Sequence, residues 1–135
     1  MNTLRAMPVI QVCDMDRSIA YYKRMGFSGI GWEEEGTSDV IFTIAQRGDV
    51  TIALQLLRGP LRVNTHWAAY VYVDDVKGLH QEFIEAGLEP TAIRHPENYG
   101  CDDFDITDPD GHLIAFGQSR NPVHGPGLSE RRGKG

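Results

Sequence analysis

The 135-residue chain carries 19 acidic and 13 basic residues, for a formal net charge of −6, and 41% of its residues are hydrophobic. This length and apolar content predict one globular domain with a buried core, and the acidic balance disfavours nucleic acid as a partner. No apolar run approaches the ~20 residues of a membrane-spanning helix, and the first residues lack the charged and then apolar pattern of a secretory signal. We therefore expect a cytoplasmic protein with no membrane or nucleic-acid partner and with a neutral or cationic ligand.

The first half of the chain is predicted to contain a strand, a helix and three further strands. Residues 7–14 alternate in the manner of a strand, and Asp14 or Asp16 can cap the helix that follows. Apolar residues then recur every three or four positions up to Gly26, which is a typical residue just beyond a helix C-terminus. Three strand candidates form a meander at residues 27–34, 40–46 and 51–57. A Gly-Pro pair ends this pattern, and residues 61–65 are predicted to link the two halves.

The second half of the chain repeats this pattern at an offset of 61 residues. The strand, acidic cap, amphipathic helix and terminal glycine recur in register, as seen in the matches Ile10 with Val71, Val12 with Val73, Asp14 with Asp75, Met15 with Val76, Tyr22 with Phe83, Gly26 with Gly87 and Phe27 with Leu88. Three strand candidates again follow, at residues 91–95, 101–107 and 112–117. Two tandem βαβββ modules predict an α+β fold in which each curved sheet carries a helix on one face and leaves the other face open.

A strand and a tight turn stand near the end of the second module. Phe104 and Ile106 alternate with Asp103 and Asp105, which predicts a strand with one apolar face. The sequence DPDG at residues 108–111 then combines a side-chain acceptor, a fixed φ and a residue free to adopt positive φ, which is typical of a tight turn. Taken alone, such a turn predicts a surface hairpin.

Three motifs of this duplicated pattern together resemble the vicinal oxygen chelate superfamily. They are VCDMDRSIAYYKRMGF at residues 12–27, VDDV at residues 73–76 and DPDGHLIAFGQ at residues 108–118. The superfamily includes glyoxalase I enzymes, extradiol dioxygenases, fosfomycin resistance enzymes and bleomycin resistance proteins. The resemblance implies a homodimer and one domain over residues 1–120, whose modules, at about 5–58 and about 66–118, each form half of a cup. Residues 121–135 are expected to form a flexible C-terminal tail.

The metal enzymes of this superfamily hold their ion with His or Glu side chains at matching positions inside the cup. Carried over onto this chain, those positions fall on Met7, Gln55, Ala68 and Ala115, with Ala53 as a second choice in place of Gln55. Such side chains cannot supply the three or four charged or imidazole ligands of a divalent ion. The chain therefore resembles the bleomycin resistance branch, whose members sequester a cationic glycopeptide drug in clefts of a homodimer. We accordingly expect a binding protein without metal or other cofactor rather than an enzyme.

A metal-dependent glyoxalase-type lyase or dioxygenase of the same superfamily is the alternative hypothesis. It requires displaced ligands such as His66 and Gln55. No pair of histidines has HxH or HExxH spacing, and no sequence motif places a base beside a nucleophile. Cys13 and Cys101 lack the CxxC spacing of a zinc site, so both are expected to be reduced thiols.

The residues expected to line the cup are aromatic and acidic. By strand parity Tyr70 and Tyr72 share a face with Ala68, and Asp103 and Asp105 share the face opposite Phe104 and Ile106. Small side chains at Ala68 and Ala115 are expected to leave open volume. Aromatic walls with carboxylates favour a flat or cationic organic ligand, an antibiotic among the candidates. The alternative is that the two aspartates are solvated edge charges and that the tyrosines support a dimer contact. The predicted ligand-binding residues are Trp32, Phe42, Gln55, His66, Trp67, Tyr70, Tyr72, Asp103 and Asp105.

Overall fold

The computed structural model describes residues 1–121, which form two helices and seven strands. The expected tail lies outside the described residues except for its first residue, Asn121. The elements in chain order are β1 (Val9–Val12), α1 (Met15–Arg24), β2 (Ser28–Glu33), β3 (Val40–Arg47), β4 (Val50–Leu56), β5 (Trp67–Tyr72), α2 (Val76–Glu85), β6 (Cys101–Thr107) and β7 (Leu113–Ser119). Neither ten-residue helix has the length or the apolar run required to span a bilayer.

The first module is a four-stranded sheet covered on one face by α1. Its strand order is β1-β4-β3-β2, with β1 parallel to β4 and the other pairs antiparallel. The predicted meander is therefore confirmed. The side chain of Asp14 accepts a hydrogen bond from the backbone N–H of Arg17, so Asp14 is the N-cap of α1. Ile10 and Val12 are buried beneath the helix, as their alternation in the sequence predicts.

The second module repeats this arrangement with one strand fewer. Its strand order is β5-β7-β6, with β5 parallel to β7. Asp75 caps α2 through the backbone N–H of Gly78. Gly87 has a φ of +80°, close to the +88° of its counterpart Gly26, so both helices end in the left-handed conformation that glycine adopts without strain. The predicted internal repeat is confirmed for these elements.

The strand predicted at residues 91–95 is wrong. In its place Arg94 forms a single antiparallel bridge with Asp103, through backbone N–O distances of 2.7 and 3.0 Å. Pro90 and Pro96 flank this segment, and because proline has no N–H and a fixed φ, a longer ladder along the edge of β6 does not form there. The segment still lies beside β6 at the position that β2 occupies beside β3.

A single apolar core extends through both modules. In the second module Phe83 of α2 packs edge-on against Phe104 and Phe116, with ring centroids 5.8 and 5.1 Å away. Phe104 and Ile106 are fully buried in this core, so the face of β6 that carries Asp103 and Asp105 is the one turned away from the helix.

The DPDG turn is half-buried between the modules, with Asp108 buried, and is not a surface hairpin. Asp108 is only 4% exposed. Its Oδ1 accepts hydrogen bonds from the backbone N–H groups of Asp110 and His112, each at 2.9 Å. Its Oδ2 accepts one from the hydroxyl of Tyr22 on α1, also at 2.9 Å. The turn is therefore attached to the helix of the other module by a carboxylate with three donors.

Two further contacts attach the same turn to the first module. The imidazole Nε2 of His112, which is 2% exposed, lies 2.6 Å from the backbone oxygen of Gln11 in β1. Since a backbone oxygen only accepts, this nitrogen must carry the proton. Arg17 pairs with the carboxylate of Asp110 at 3.0 Å. His112 therefore has a structural role that joins β7 to β1.

Replacing Asp108 by Ala should lower the free energy of unfolding by about 3 kcal/mol, because it leaves buried donors without an acceptor. Tyr22→Phe should cost less, about 1–2 kcal/mol, since it removes one hydroxyl from the network. Urea unfolding monitored by circular dichroism measures both values. The matched control is Asp49→Ala in the exposed β3–β4 turn, expected within about 0.5 kcal/mol of wild type. Equal costs at Asp49 and Asp108 would contradict the assigned role of the turn.

Candidate functional site

Each sheet has one face that no helix covers, and the predicted site residues lie on or beside these two faces. The first open face is the side of β1–β4 that carries Trp32, Phe42 and Gln55, which are cross-strand neighbours. The second open face is the side of β5–β7 that carries Tyr70 and Asp105, both aligned with Ala115 of the central strand.

The first open face is apolar and exposed. Trp32 is 48% exposed, and its ring centroid lies 5.9 Å from that of Phe42. Ile30 is 68% exposed and pairs with Ile44 in the adjacent row of the sheet. Gln55 is exposed beside Phe42 and adds an amide to this surface. The face can therefore stack a flat ligand and offer it one polar group.

An acidic hairpin borders the first open face. Glu33 ends β2, and the β2–β3 connection that follows carries Glu34, Glu35 and Asp39. Glu34 pairs with Arg58 through two contacts, at 3.2 and 3.3 Å. Glu33 and Glu35 are exposed and form no ion pair with another described residue. These carboxylates are free to attract a cation toward Trp32.

The second open face contains two buried carboxylates, of which Asp103 has no exposed surface. Asp103 accepts hydrogen bonds from the hydroxyls of Tyr70 and Tyr99 and from Nε of Arg94, each at 2.9 Å. Burial and the hydrogen bond to Asp103 raise the pKa of Tyr99 to about 12. The pKa of Tyr70 is also raised, chiefly by burial and then by the same carboxylate.

Asp105 is held by the same guanidinium. Its two oxygens accept hydrogen bonds from both terminal nitrogens of Arg94, each at 2.8 Å, and Nε1 of Trp67 donates a third at 3.1 Å. Asp105 is 7% exposed, so the alternative that the two aspartates are solvated edge charges is wrong. These hydrogen bonds raise the pKa of Arg94 further, despite the opposing effect of burial. Arg94 and the aromatic donors are thus already bonded to both carboxylates. Direct cation binding by Asp103 and Asp105 stays a prediction.

Sequence reasoning missed Arg94 and Tyr99. A signal was available, because carboxylates on the inner face of a sheet are seldom buried without a cationic or hydrogen-bonding partner. Arg94 lies on the segment adjacent to β6, nine residues before Asp103. The alternation of a regular strand could not have predicted the position of the Arg94 side chain, because its segment forms only one bridge with β6.

Aromatic rings fill the space expected at Ala115. Ala68 forms a bulge between Trp67 and Ala69, so Trp67 and Tyr70 lie on the same face, with ring centroids 4.8 Å apart. Tyr70 covers Gly117 so closely that a Cβ there would clash with the hydroxyl. Ala115 has no exposed surface. The expectation of open volume at Ala115 is therefore wrong, because Tyr70 lies across the central strand.

The metal positions of the superfamily carry no suitable donor set in this chain. Met7 is half-buried. Val9 pairs with Ala53 as its repeat counterpart Tyr70 pairs with Ala115, so the matching position in the first module is Ala53 and the choice of Gln55 is wrong. The other two positions, Ala68 and Ala115, are also alanines. No group of three or more His, Cys, Asp or Glu residues within residues 1–121 is arranged to hold a metal ion. His66 is exposed and packs its ring against Trp67, 4.6 Å between centroids. The residues present do not fit a superfamily metal, and both cysteines are free thiols.

An open groove of about 1160 Å³ runs between the modules at the end away from the DPDG turn. Tyr72, 56% exposed, is the predicted site residue that lines it. The groove also contains the ion pair between Arg47 and Glu82, whose closest atoms are 2.6 Å apart. The ring of Tyr72 lies 5.1 Å from that of Tyr70, so Tyr72 connects the groove with the second open face.

Comparison with known proteins identifies a matching family model, a similar sequence and similar structures. A family model described as the Glyoxalase/Bleomycin resistance protein/Dioxygenase superfamily matches residues 5–116. A bleomycin resistance protein of Klebsiella pneumoniae is 25% identical over 124 residues, covering 87% of this chain and 94% of the relative. The crystal structure of a bleomycin-binding protein complexed with bleomycin has a TM-score of 0.70 at 22% identity, covering 87% of this chain and 100% of that one. A glyoxalase-related enzyme from Clostridium phytofermentans has a TM-score of 0.73 at 18% identity, covering 88% and 97%. These two structures share the fold.

Alkaline titration should show that Tyr99 ionises at a pH of about 12 in the folded protein, against about 10 for an unfolded chain. Because the folded-state pKa is raised, its stabilising contribution is fully present below pH ~10 and is lost as the pH rises through ~12. Tyr99→Phe should therefore lose less stability than wild type across this window. Phenolate absorbance and urea unfolding at each pH measure the two effects. Full ionisation of all tyrosines near pH ~10 in the folded protein would contradict the hydrogen bonding described for the second open face.

Proposed function

The chain belongs to the glyoxalase/bleomycin resistance protein/dioxygenase superfamily, and from this premise we propose that it is a small-molecule-binding protein of the bleomycin resistance type. It sequesters a flat organic ligand and recognises cationic groups on that ligand. Binding requires no metal, and the protein catalyses no reaction. The observation that carries this proposal is the exposed aromatic pair of Trp32 and Phe42 on the first open face.

Physical chemistry favours a ligand at this pair. A tryptophan that is 48% exposed beside a second aromatic ring leaves a large apolar area in water. Stacking a planar ligand on it removes that area from solvent and adds the preferred contact geometry of aromatic rings. The exposed Gln55 offers a hydrogen bond at the side of the stack.

The cationic part of the ligand is best accommodated by the acidic hairpin. Glu33 and Glu35 are exposed and have no cationic partner among the described residues. Asp103 and Asp105, in contrast, already pair with Arg94 and accept further hydrogen bonds from aromatic side chains. An exposed carboxylate can meet a ligand cation without breaking an existing pair. The relatives named for bleomycin make this antibiotic the first ligand to test.

The first open face also supports assembly into a homodimer. All six residues of β2 are exposed, and β2 is the edge strand of its sheet. An exposed edge strand that carries Ile30 and Trp32 can pair with another chain. A second copy would cover part of this apolar face and turn the remainder into a cleft.

Trp32→Ala should weaken bleomycin binding by about 10- to 100-fold, because it removes the larger ring of the stacking pair. Isothermal titration calorimetry at fixed ionic strength measures the dissociation constant. The control is Ile84→Ala, which truncates a side chain 47% exposed on α2, remote from both open faces, and should leave binding unchanged.

The same preparation tests the metal-dependent alternative. We expect metal analysis to find no stoichiometric metal and chelation to leave the affinity unchanged. The proposal is wrong if the protein purifies with about one tightly held metal per chain and loses all ligand affinity when the metal is removed. It is also wrong if bleomycin and related cationic or aromatic antibiotics all fail to bind.

Light scattering should give a mass of twice the 15.1 kDa chain. Ile30→Glu should shift the protein toward the monomer, because it introduces a charge into the apolar face that a second copy would bury. Circular dichroism of the variant checks that its fold is retained. If the wild-type protein is a monomer at micromolar concentration, the proposed dimer and the cleft formed by it are both wrong.

A further inference from the structure

Arg94 is the charged group that the second open face presents to solvent. Its side chain is 42% exposed, whereas the side chains of Asp103 and Asp105 are 0% and 10% exposed. We propose that this face recognises a planar aromatic ligand through a neutral hydrogen-bond acceptor, a carboxamide, and that Arg94 determines this specificity. The inference rests on the proposed function, since it names a chemical class for the ligand of the open faces.

The guanidinium of Arg94 retains hydrogen-bonding capacity. A guanidinium has five N–H donors. Three are given to the two aspartates, one from Nε and one from each terminal nitrogen. One N–H on each terminal nitrogen is therefore left without a partner among the described residues. A carbonyl oxygen can accept from a donor of this kind without displacing either aspartate.

Arg94 is held in place before any ligand arrives. Its backbone N–H and C=O are both bonded to Asp103, and its side chain makes three further hydrogen bonds. A ligand therefore does not have to order a long, mobile side chain, which is one of the main costs of binding.

The charge of this cluster favours a neutral acceptor over either ion. Two carboxylates against one guanidinium leave one net negative charge, which repels an anionic ligand. Each carboxylate already accepts three side-chain hydrogen bonds, so a ligand ammonium finds no free oxygen and meets a guanidinium. A neutral carboxamide avoids both penalties.

Aromatic side chains beside Arg94 fit the planar part of the ligand. The rings of Trp67 and Tyr99 are 5.9 Å apart at an interplanar angle of 84°, so one presents its edge to the face of the other. The hydroxyl of Tyr99 and the indole N–H of Trp67 are used by the aspartates. What remains for a ligand is the carbon surface of these rings, next to the free N–H groups of Arg94.

The test compares three probes of the same shape on the wild-type protein: naphthamide, naphthoate and naphthylmethylammonium. The chain has two tryptophans, one on each open face, so their indole N–H signals in a proton–nitrogen correlation spectrum report which face is occupied. Naphthamide should move the Trp67 signal and bind at that face about fivefold more tightly than either ion, as expected for one neutral hydrogen bond.

Arg94→Lys tests the role of the guanidinium directly. It keeps the positive charge but loses the planar fork of donors. The preference for naphthamide at the Trp67 signal should disappear. Arg24→Lys is the matched control, because Arg24 also donates two side-chain hydrogen bonds, to the backbone oxygens of Ala86 and Gly87, but lies on the helical side. It should leave the preference unchanged.

The ranking on wild-type protein decides the inference even if Arg94→Lys does not fold. Tighter binding of the ammonium or the carboxylate at Trp67 overturns it, and so does a Trp67 signal that none of the probes moves. The proposed function is judged separately by bleomycin and Trp32. Naphthamide selectivity without bleomycin binding supports the inference alone, and bleomycin binding without that selectivity supports the proposed function alone.

Discussion

The position of the second module depends on a buried carboxylate, Asp108, that joins it to the first. A carboxylate with 4% exposure is costly unless donors saturate it, and here a phenol and two backbone N–H groups do so. The phenol belongs to Tyr22 on α1, whose pKa is raised by burial and by this carboxylate. Because these hydrogen bonds form in only one arrangement of the two modules, the turn fixes the position at which β7 begins relative to the first module. His112 adds a second contact from β7 to β1.

The two modules share a fold but present open faces of opposite chemistry. Phe42 is the cross-strand neighbour of Gln55, and Asp103 is the neighbour of Gly117, which has the position of Gln55 in the repeat. An exposed aromatic surface in the first module thus corresponds to a buried ion-pair network in the second. Duplication supplies two similar sheets, and the side chains at matching positions decide what each can bind.

Much of the architecture could be predicted because it follows from local pattern. The caps Asp14 and Asp75 and the paired glycines after each helix mark helix ends through interactions within one turn. The alternation in β6 correctly separates Phe104 and Ile106 from the aspartates. The prediction of a strand at residues 91–95 is wrong. The apolar and β-branched residues of this segment favour a strand, but the flanking prolines limit its pairing to one bridge.

The sequence by itself determined both helices, seven of the eight predicted strands, the internal repeat and the face on which Asp103 and Asp105 lie, because periodicity and capping act between near neighbours. Only the tertiary structure decided that Arg94 pairs with both aspartates and that Tyr70 fills the space over Ala115. Tyr70 is 33 residues from Asp103, and Trp67 is 38 from Asp105. Partners so distant in the chain meet only when strand order and the bulge at Ala68 bring them together. The physical reason is that a buried charge selects its partners from whatever the fold places within hydrogen-bonding distance, and no local pattern records that choice.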